Sequence, residues 1–143
     1  MIFPDVNMLL YAYDRSSNSH LEAREWLERT LSESEVLFSW HTITGFLRIL
    51  THPSILTNPA PLSEAVHVVS EWLDRENTHV VSFEKRNWPL FAKMLTEGQA
   101  SGNLVMDAHV AAMAASCGAT VASTDRDFLR FPGIQFINPI SGN

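Results

Sequence analysis

Cysteine is nearly absent from this chain of 143 residues: Cys117 stands alone, which excludes an intramolecular disulfide framework. In its Ala-rich setting, residues 111–117, it reads as a small buried thiol on a helix. Positive charge is also scarce, with ten Lys and Arg against sixteen Asp and Glu, a formal net charge of −6 and a pI near 5.4. Such a chain is a poor non-specific binder of phosphate backbones, because that affinity comes largely from Lys and Arg. A nucleic-acid substrate still fits if metal neutralises some acids or a few arginines supply local attraction. No apolar run approaches the length of a membrane span, so no membrane partner is expected. Residues 1–5 lack a basic region followed by an apolar stretch, so no signal peptide is expected and the location reads as cytoplasmic. The six histidines form no HxxxH or Cys/His set, which disfavours zinc, and neither a Gly-rich phosphate loop nor a nucleophile elbow occurs.

Core material, by contrast, is plentiful. Hydrophobic residues make up 45% of the chain and include four tryptophans. That is enough for one domain over residues 1–143, burying about two-thirds of its unfolded surface. Strand and helix signals alternate. Ile2-Phe3 is a short apolar run, and Met8 to Tyr13 a short helix with Asn7 near its cap. Ala23, Trp26, Leu27 and Leu31 recur at helical spacing. Val36 to Ser39 reads as a strand, followed by a helix with Ile43, Phe46, Leu47 and Leu50 on one face. After a loop with three prolines, residues 51–61, a helix from about Ser63 carries Val66, Val69, Trp72 and Leu73. His79 to Phe83 reads as a strand, Trp88, Phe91 and Leu95 mark a helix, and a helix from Met106 or Asp107 ends at Gly118. Thr120 to Ser123 and Gln135 to Ile137 read as strands. The alternation implies an α/β fold, a parallel sheet covered by helices on both faces.

In such sheets the working crevice lies at the carboxyl ends of the strands. Asp5 and Asp125 each follow a strand directly, and Asp107 opens the helix that leads to the strand before Asp125. Asp127 follows two residues later. Taken singly, Asp5 can cap its strand-to-helix turn, Asp107 reads first as a favourable first-turn charge, Asp125 equally well as a cap, and Asp127 as a solvent-facing or capping acid. Together at one edge they would repel one another unless a hard divalent cation lay between them, held by oxygen ligands. Asn7, Ser123 and Thr124 are candidates to orient ligands or touch phosphate without adding charge. Arg48, Arg126, Arg15 and His52 are candidates for RNA phosphate, with a surface salt bridge the competing reading for Arg48. Trp26, Trp72 and Trp88 read as packing, Trp40 as a crevice residue, and His109 as a surface or subunit-contact residue.

Four stretches, residues 4–11, 45–53, 102–109 and 123–128, occur in an order and at a spacing that resembles the PIN-domain ribonucleases of the VapC toxin type. They contain Pro4-Asp5-Val6-Asn7, Gly45-Phe46-Leu47-Arg48, Met106-Asp107-Ala108-His109 and Ser123-Thr124-Asp125-Arg126-Asp127-Phe128. The resemblance implies a PIN-like three-layer sandwich with a central sheet of four to five short parallel strands. It implies endonucleolytic cleavage of RNA, often structured RNA such as tRNA or rRNA, with Mg²⁺ or Mn²⁺. It assigns the metal to Asp5, Asp107 and Asp125 with Asp127 in support, and implies a VapB-like antitoxin that often inserts an arginine, and a homodimer. The chain departs from the family at Gly45, where many PIN domains carry a glutamate. One acid fewer favours a single, weaker Mg²⁺ site. A PIN-fold module that binds RNA or protein without cutting is the main alternative. A flap nuclease acting on DNA ranks below both, since 143 residues leave no room for the usual DNA-binding additions.

Overall fold

The computed structural model describes residues 1–140. Five three-residue strands, β1 (Ile2–Pro4), β2 (Val36–Phe38), β3 (Thr78–Val80), β4 (Thr120–Ala122) and β5 (Gln135–Ile137), form one sheet in the order β3-β2-β1-β4-β5. Every neighbouring pair is parallel, with Ile2 opposite both Val36 and Thr120. Side chains alternate across the sheet. Phe3, Leu37 and Val121 face one core, and Val36, Phe38 and Ala122 the other.

Four helices, α1 (Val6–Tyr13), α2 (His20–Glu33), α3 (Trp40–Leu50) and α4 (Leu62–Leu73), fill the second of these cores. Trp72, 1% exposed, is at its centre. Its ring stacks on Phe38 with centroids 5.2 Å apart, lies 4.7 Å from Phe46, and its indole N–H donates to the Tyr13 hydroxyl at 3.1 Å. The other face is covered by α5 (Trp88–Glu97) and α6 (Leu104–Cys117), with Met94, Met113 and Phe128 buried between helix and sheet. Layers of helix, sheet and helix result, as expected.

The departures from the sequence reading are local. Asp5, rather than Asn7, caps α1, its carboxylate accepting from the Val6 N–H at 2.8 Å. Ser39 leaves the strand to cap α3 through the Thr42 N–H. The third strand starts at Thr78, one residue before the expected His79, and stops at Val80, the rest of the run continuing as coil to Phe83. The helix bearing Asp107 starts at Leu104, because Gly102 (φ 59°) turns the chain just before it. Val66 lies on the outer side of α4, and Trp88 at the start of α5 is 57% exposed, so neither packs in the core as its spacing suggested. Cys117 ends α6 only partly buried.

Candidate active site

The strand order reverses at β1, which pairs with β2 on one side and β4 on the other. Chains leaving the carboxyl ends of β1 and β4 therefore diverge and leave a crevice between them. Asp5 follows β1 and is held there twice. Its backbone N–H donates to the Ala122 carbonyl at 2.9 Å, and its Oδ2 accepts from the Ser123 hydroxyl at 2.8 Å. The carboxylate is 8% exposed, and burial pushes its pKa up even though Ser123 and the Val6 N–H favour the charged form.

Asp125 leaves β4 with its N–H donating to Ser123 Oγ at 3.0 Å. Its Oδ1 accepts from the Asp127 N–H at 2.9 Å and so starts the 3-10 turn Arg126–Arg130. That turn brings Asp127 back beside Asp125, and Asp107 projects toward both from the first turn of α6. Carboxylate oxygens of Asp107, Asp125 and Asp127 lie within 4.8 Å of one another. Burial first, then the charges of Asp5, Asp125 and Asp127, push the Asp107 carboxyl up to about 7. Arg130 partly opposes this, with Nη2 3.9 Å from Asp127 Oδ1 while Nη1 donates to the Gly98 carbonyl at 2.9 Å. An all-oxygen set of close, mutually repelling acids has the donor chemistry of a hard divalent cation site.

Asp5, Asp107 and Asp125 open onto a cleft of about 530 Å³. One wall is α3, presenting His41, Gly45, Arg48 and Ile49, which fall on one stripe at helical spacing. The opposite wall is α6 with Asn103, Met106, Asp107 and Val110, again one stripe. Asp5, Val6 and Asn7 contribute from the turn between β1 and α1.

The profile of the PIN domain family matches residues 2–134. The chain belongs to the PIN-domain family. Within it, similarity runs to the VapC branch. Ribonuclease VapC37 of Mycobacterium tuberculosis is 35% identical over 136 residues, covering 94% of both chains. Ribonuclease VapC48 from the same organism is 34% identical over 140 residues, 96% of this chain and 97% of that one. Among solved structures, VapBC2 from Rickettsia felis, bound to a promoter DNA fragment, superposes with a TM-score of 0.70 at 17% identity, covering 96% of this chain and 98% of that one. DNA-bound VapBC from Salmonella typhimurium does so at 0.66 and 18%, covering 96% and 97%. These two show that the fold is shared.

The remaining sequence candidates fall in different places in this PIN domain. Asn7 and Arg48 line the acid cleft, Arg48 with its side chain exposed. Ser123 is 0% exposed and is occupied by Asp5 and the Asp125 N–H, so it orients the acids and has no face left for substrate. Thr124 is partly buried, and Arg126 is exposed but outside the cleft lining. Arg15 lines a separate surface pocket with Tyr13 and Asn58. The His52 ring, in the loop after α3, accepts from the Ser54 N–H. Sequence reasoning passed over Asn103 and His41. Each sits four residues from a residue already singled out, Asp107 and Gly45, and that spacing was the available signal. His109 is only partly at the surface. It packs half-buried among Phe83, Phe91 and His41, and burial, then His41, lowers its pKa.

Proposed function

We propose that this PIN domain is a metal-dependent endoribonuclease that acts as the toxin of a toxin–antitoxin pair. One observation carries the reading: three carboxylates converge within 4.8 Å, two of them, Asp107 and Asp125, lining a cleft at the switch point of the sheet. Asp107, Asp125 and Asp127 are the residues to hold Mg²⁺ or Mn²⁺, with the buried Asp5 beside them completing the negative field. When bound, such an ion polarises phosphoryl oxygens and lowers the pKa of a bound water.

The chain's own residues supply position. Ser123 fixes the Asp5 carboxylate and the Asp125 backbone in one stroke, so two acids from two strands share a single anchor. Arg130 links the exposed Asp127, 3.9 Å away, to the Gly98 carbonyl after α5. Arg48 is the cation in the cleft lining and is suited to a phosphate beside the scissile one, with Asn7 offering an amide to the same backbone. Gly45 leaves the α3 wall without a carboxylate. That supports one metal ion in place of two.

RNA, structured RNA such as tRNA or rRNA in particular, is the proposed substrate, in the cytoplasm. Full-length similarity to proteins named as VapC ribonucleases supports it. A VapB-like antitoxin and a homodimer are the proposed partners, in keeping with structural neighbours solved as VapBC complexes. Among the described residues no helix is long and apolar enough to cross a membrane. The test is induced expression of the wild type and Asp107→Asn with mapping of RNA ends, plus purified protein on pooled RNA with Mg²⁺ or chelator. Discrete new ends that vanish with the substitution and with chelator are expected. Cleavage that survives both would refute the metal site, and soluble wild-type protein that cuts nothing would favour the non-cutting binding module.

A further inference from the structure

Next to the acid cleft is a second cavity of about 310 Å³. It lies at the same edge of the sheet, between the start of α3, the coil after β3, and the middle of α6. Trp40, His41, Ser82, Phe83, His109 and Met113 are its main walls. Three properties set it apart. First, it is aromatic: the His109 ring stands edge-on to Phe83 at 4.9 Å and to His41 at 5.7 Å, and Trp40, the first residue of α3, is 62% exposed. Second, among the described residues no Asp, Glu, Lys or Arg lines it, beside a cleft lined by three carboxylates. Third, His41 lines both cavities, so they share a wall.

An exposed tryptophan at the mouth of an uncharged aromatic pocket suits a flat, neutral, π-bearing group, and does not suit phosphate. A single-stranded nucleic acid carries such groups at fixed reach from its phosphates. Bases unstack from the strand, settle against aromatic side chains, and are then read along their edges by hydrogen bonds. Ser82, His41 and His109 line the pocket, and the Ser82 hydroxyl and the two imidazoles make no hydrogen bond among the described residues, so they are free to read that edge. Resting on the ribonuclease reading, we propose that this pocket is a nucleobase subsite, in which Trp40 stacks on the base next to the phosphate held at the acids.

The test uses Asp107→Asn protein, which holds RNA without cutting it, and short homopolymeric RNAs of each base with one abasic residue walked along the strand. Binding is followed by anisotropy. One abasic position is expected to weaken binding about tenfold or more, in the range of a lost base–aromatic stack. Trp40→Ala should weaken binding of intact RNA by a similar factor and be indifferent to the abasic residue at that position. Trp40→Phe should recover most of the loss. If the two losses multiply at every position, or if Trp40→Ala binds as its parent does, the subsite is overturned. Cleavage by Asp107-containing protein, scored separately, shows which idea has failed. With cutting intact, only the subsite falls; a parent that neither binds nor cuts RNA removes both. Should Trp40→Ala bind RNA normally but lose a co-expressed antitoxin, the pocket belongs to a protein side chain and the proposal is wrong.

Discussion

The hydroxyl of Ser123 donates to Asp5 Oδ2 at 2.8 Å while its oxygen accepts from the Asp125 N–H at 3.0 Å. A single fully buried side chain therefore joins the ends of β1 and β4 and the two acids that follow them. Ser123→Ala leaves a buried carboxylate short of one donor and a partly buried N–H without its acceptor. We expect a loss of about 1–3 kcal/mol in stability, with weaker Mg²⁺ binding. Urea unfolding and a calorimetric Mg²⁺ titration measure the two. An unchanged midpoint together with unchanged affinity would show that Ser123 does not organise the acids.

Asp107 gives a pH dependence of definite sign. Its carboxyl titrates at about 7 in the fold against 3.8 in the open chain, so the folded state binds the extra proton between those values. Stability of the metal-free protein is highest at the acid end of that window and falls as pH rises through about 7. Asp5, also raised, acts in the same sense. Metal-free protein should thus melt several degrees higher at pH ~5.5 than at pH ~8. Mg²⁺ should restore most of the difference at the higher pH, and Asp107→Asn should shrink the difference to the part that Asp5 contributes and weaken the Mg²⁺ effect with it. Differential scanning calorimetry at the two pH values decides it.

Gly45 stands where a fourth carboxylate would face the cleft. A Cβ added there meets Val6 Cγ2 at 3.3 Å, a contact that a small shift of a side chain relieves. Gly45→Glu should therefore fold, and the added charge should tighten Mg²⁺ or Mn²⁺ about tenfold. Titration calorimetry reads this directly. Equal affinities in both proteins would mean that position 45 does not face the metal.

Gly98 is a stricter case. Its added Cβ would sit 2.6 Å from the Phe131 ring and 2.7 Å from the Met94 carbonyl, which is backbone and cannot move aside. Gly98→Ala should cost about 1–3 kcal/mol, and because Arg130 donates to the Gly98 carbonyl, it should also disturb Asp127. Denaturant unfolding gives the first effect and Mg²⁺ affinity the second.

At the core, Trp72→Ala should cost about 3–5 kcal/mol, since its ring touches Phe38, Phe46 and Tyr13 at once. Chemical denaturation is the check, and a loss under 1 kcal/mol would show that the core closes over the gap.

What could be read from the residues follows from what sequence encodes locally. The gathering of Asp5, Asp107 and Asp125 was legible because strand-helix alternation fixes which ends of the elements meet. The tight trio Asp107, Asp125 and Asp127 was not ranked above Asp5, because the 3-10 turn that returns Asp127 to Asp125 depends on one backbone hydrogen bond with no composition signal. Ser123 was legible as a residue able to orient ligands, but its partner was not, because Asp5 is 118 residues away. Trp88 misled because helical spacing records a shared face without saying whether anything covers it. His109 misled in the opposite direction, since a polar residue on a largely apolar helix looked like an outer face until Phe83 and Phe91 were seen to close over it.

The central position of β1 also sets a timetable. This strand bonds to β4, whose residues come more than a hundred positions later, and the acids on either side share an anchor separated by the same span. A chain growing on the ribosome holds Asp5 ready long before Ser123, Asp125 and Asp127 exist. A chain released before residue 123 thus carries Asp5, with or without Asp107, but neither the anchor nor the paired acids, and the site assembles only after β4 has been made.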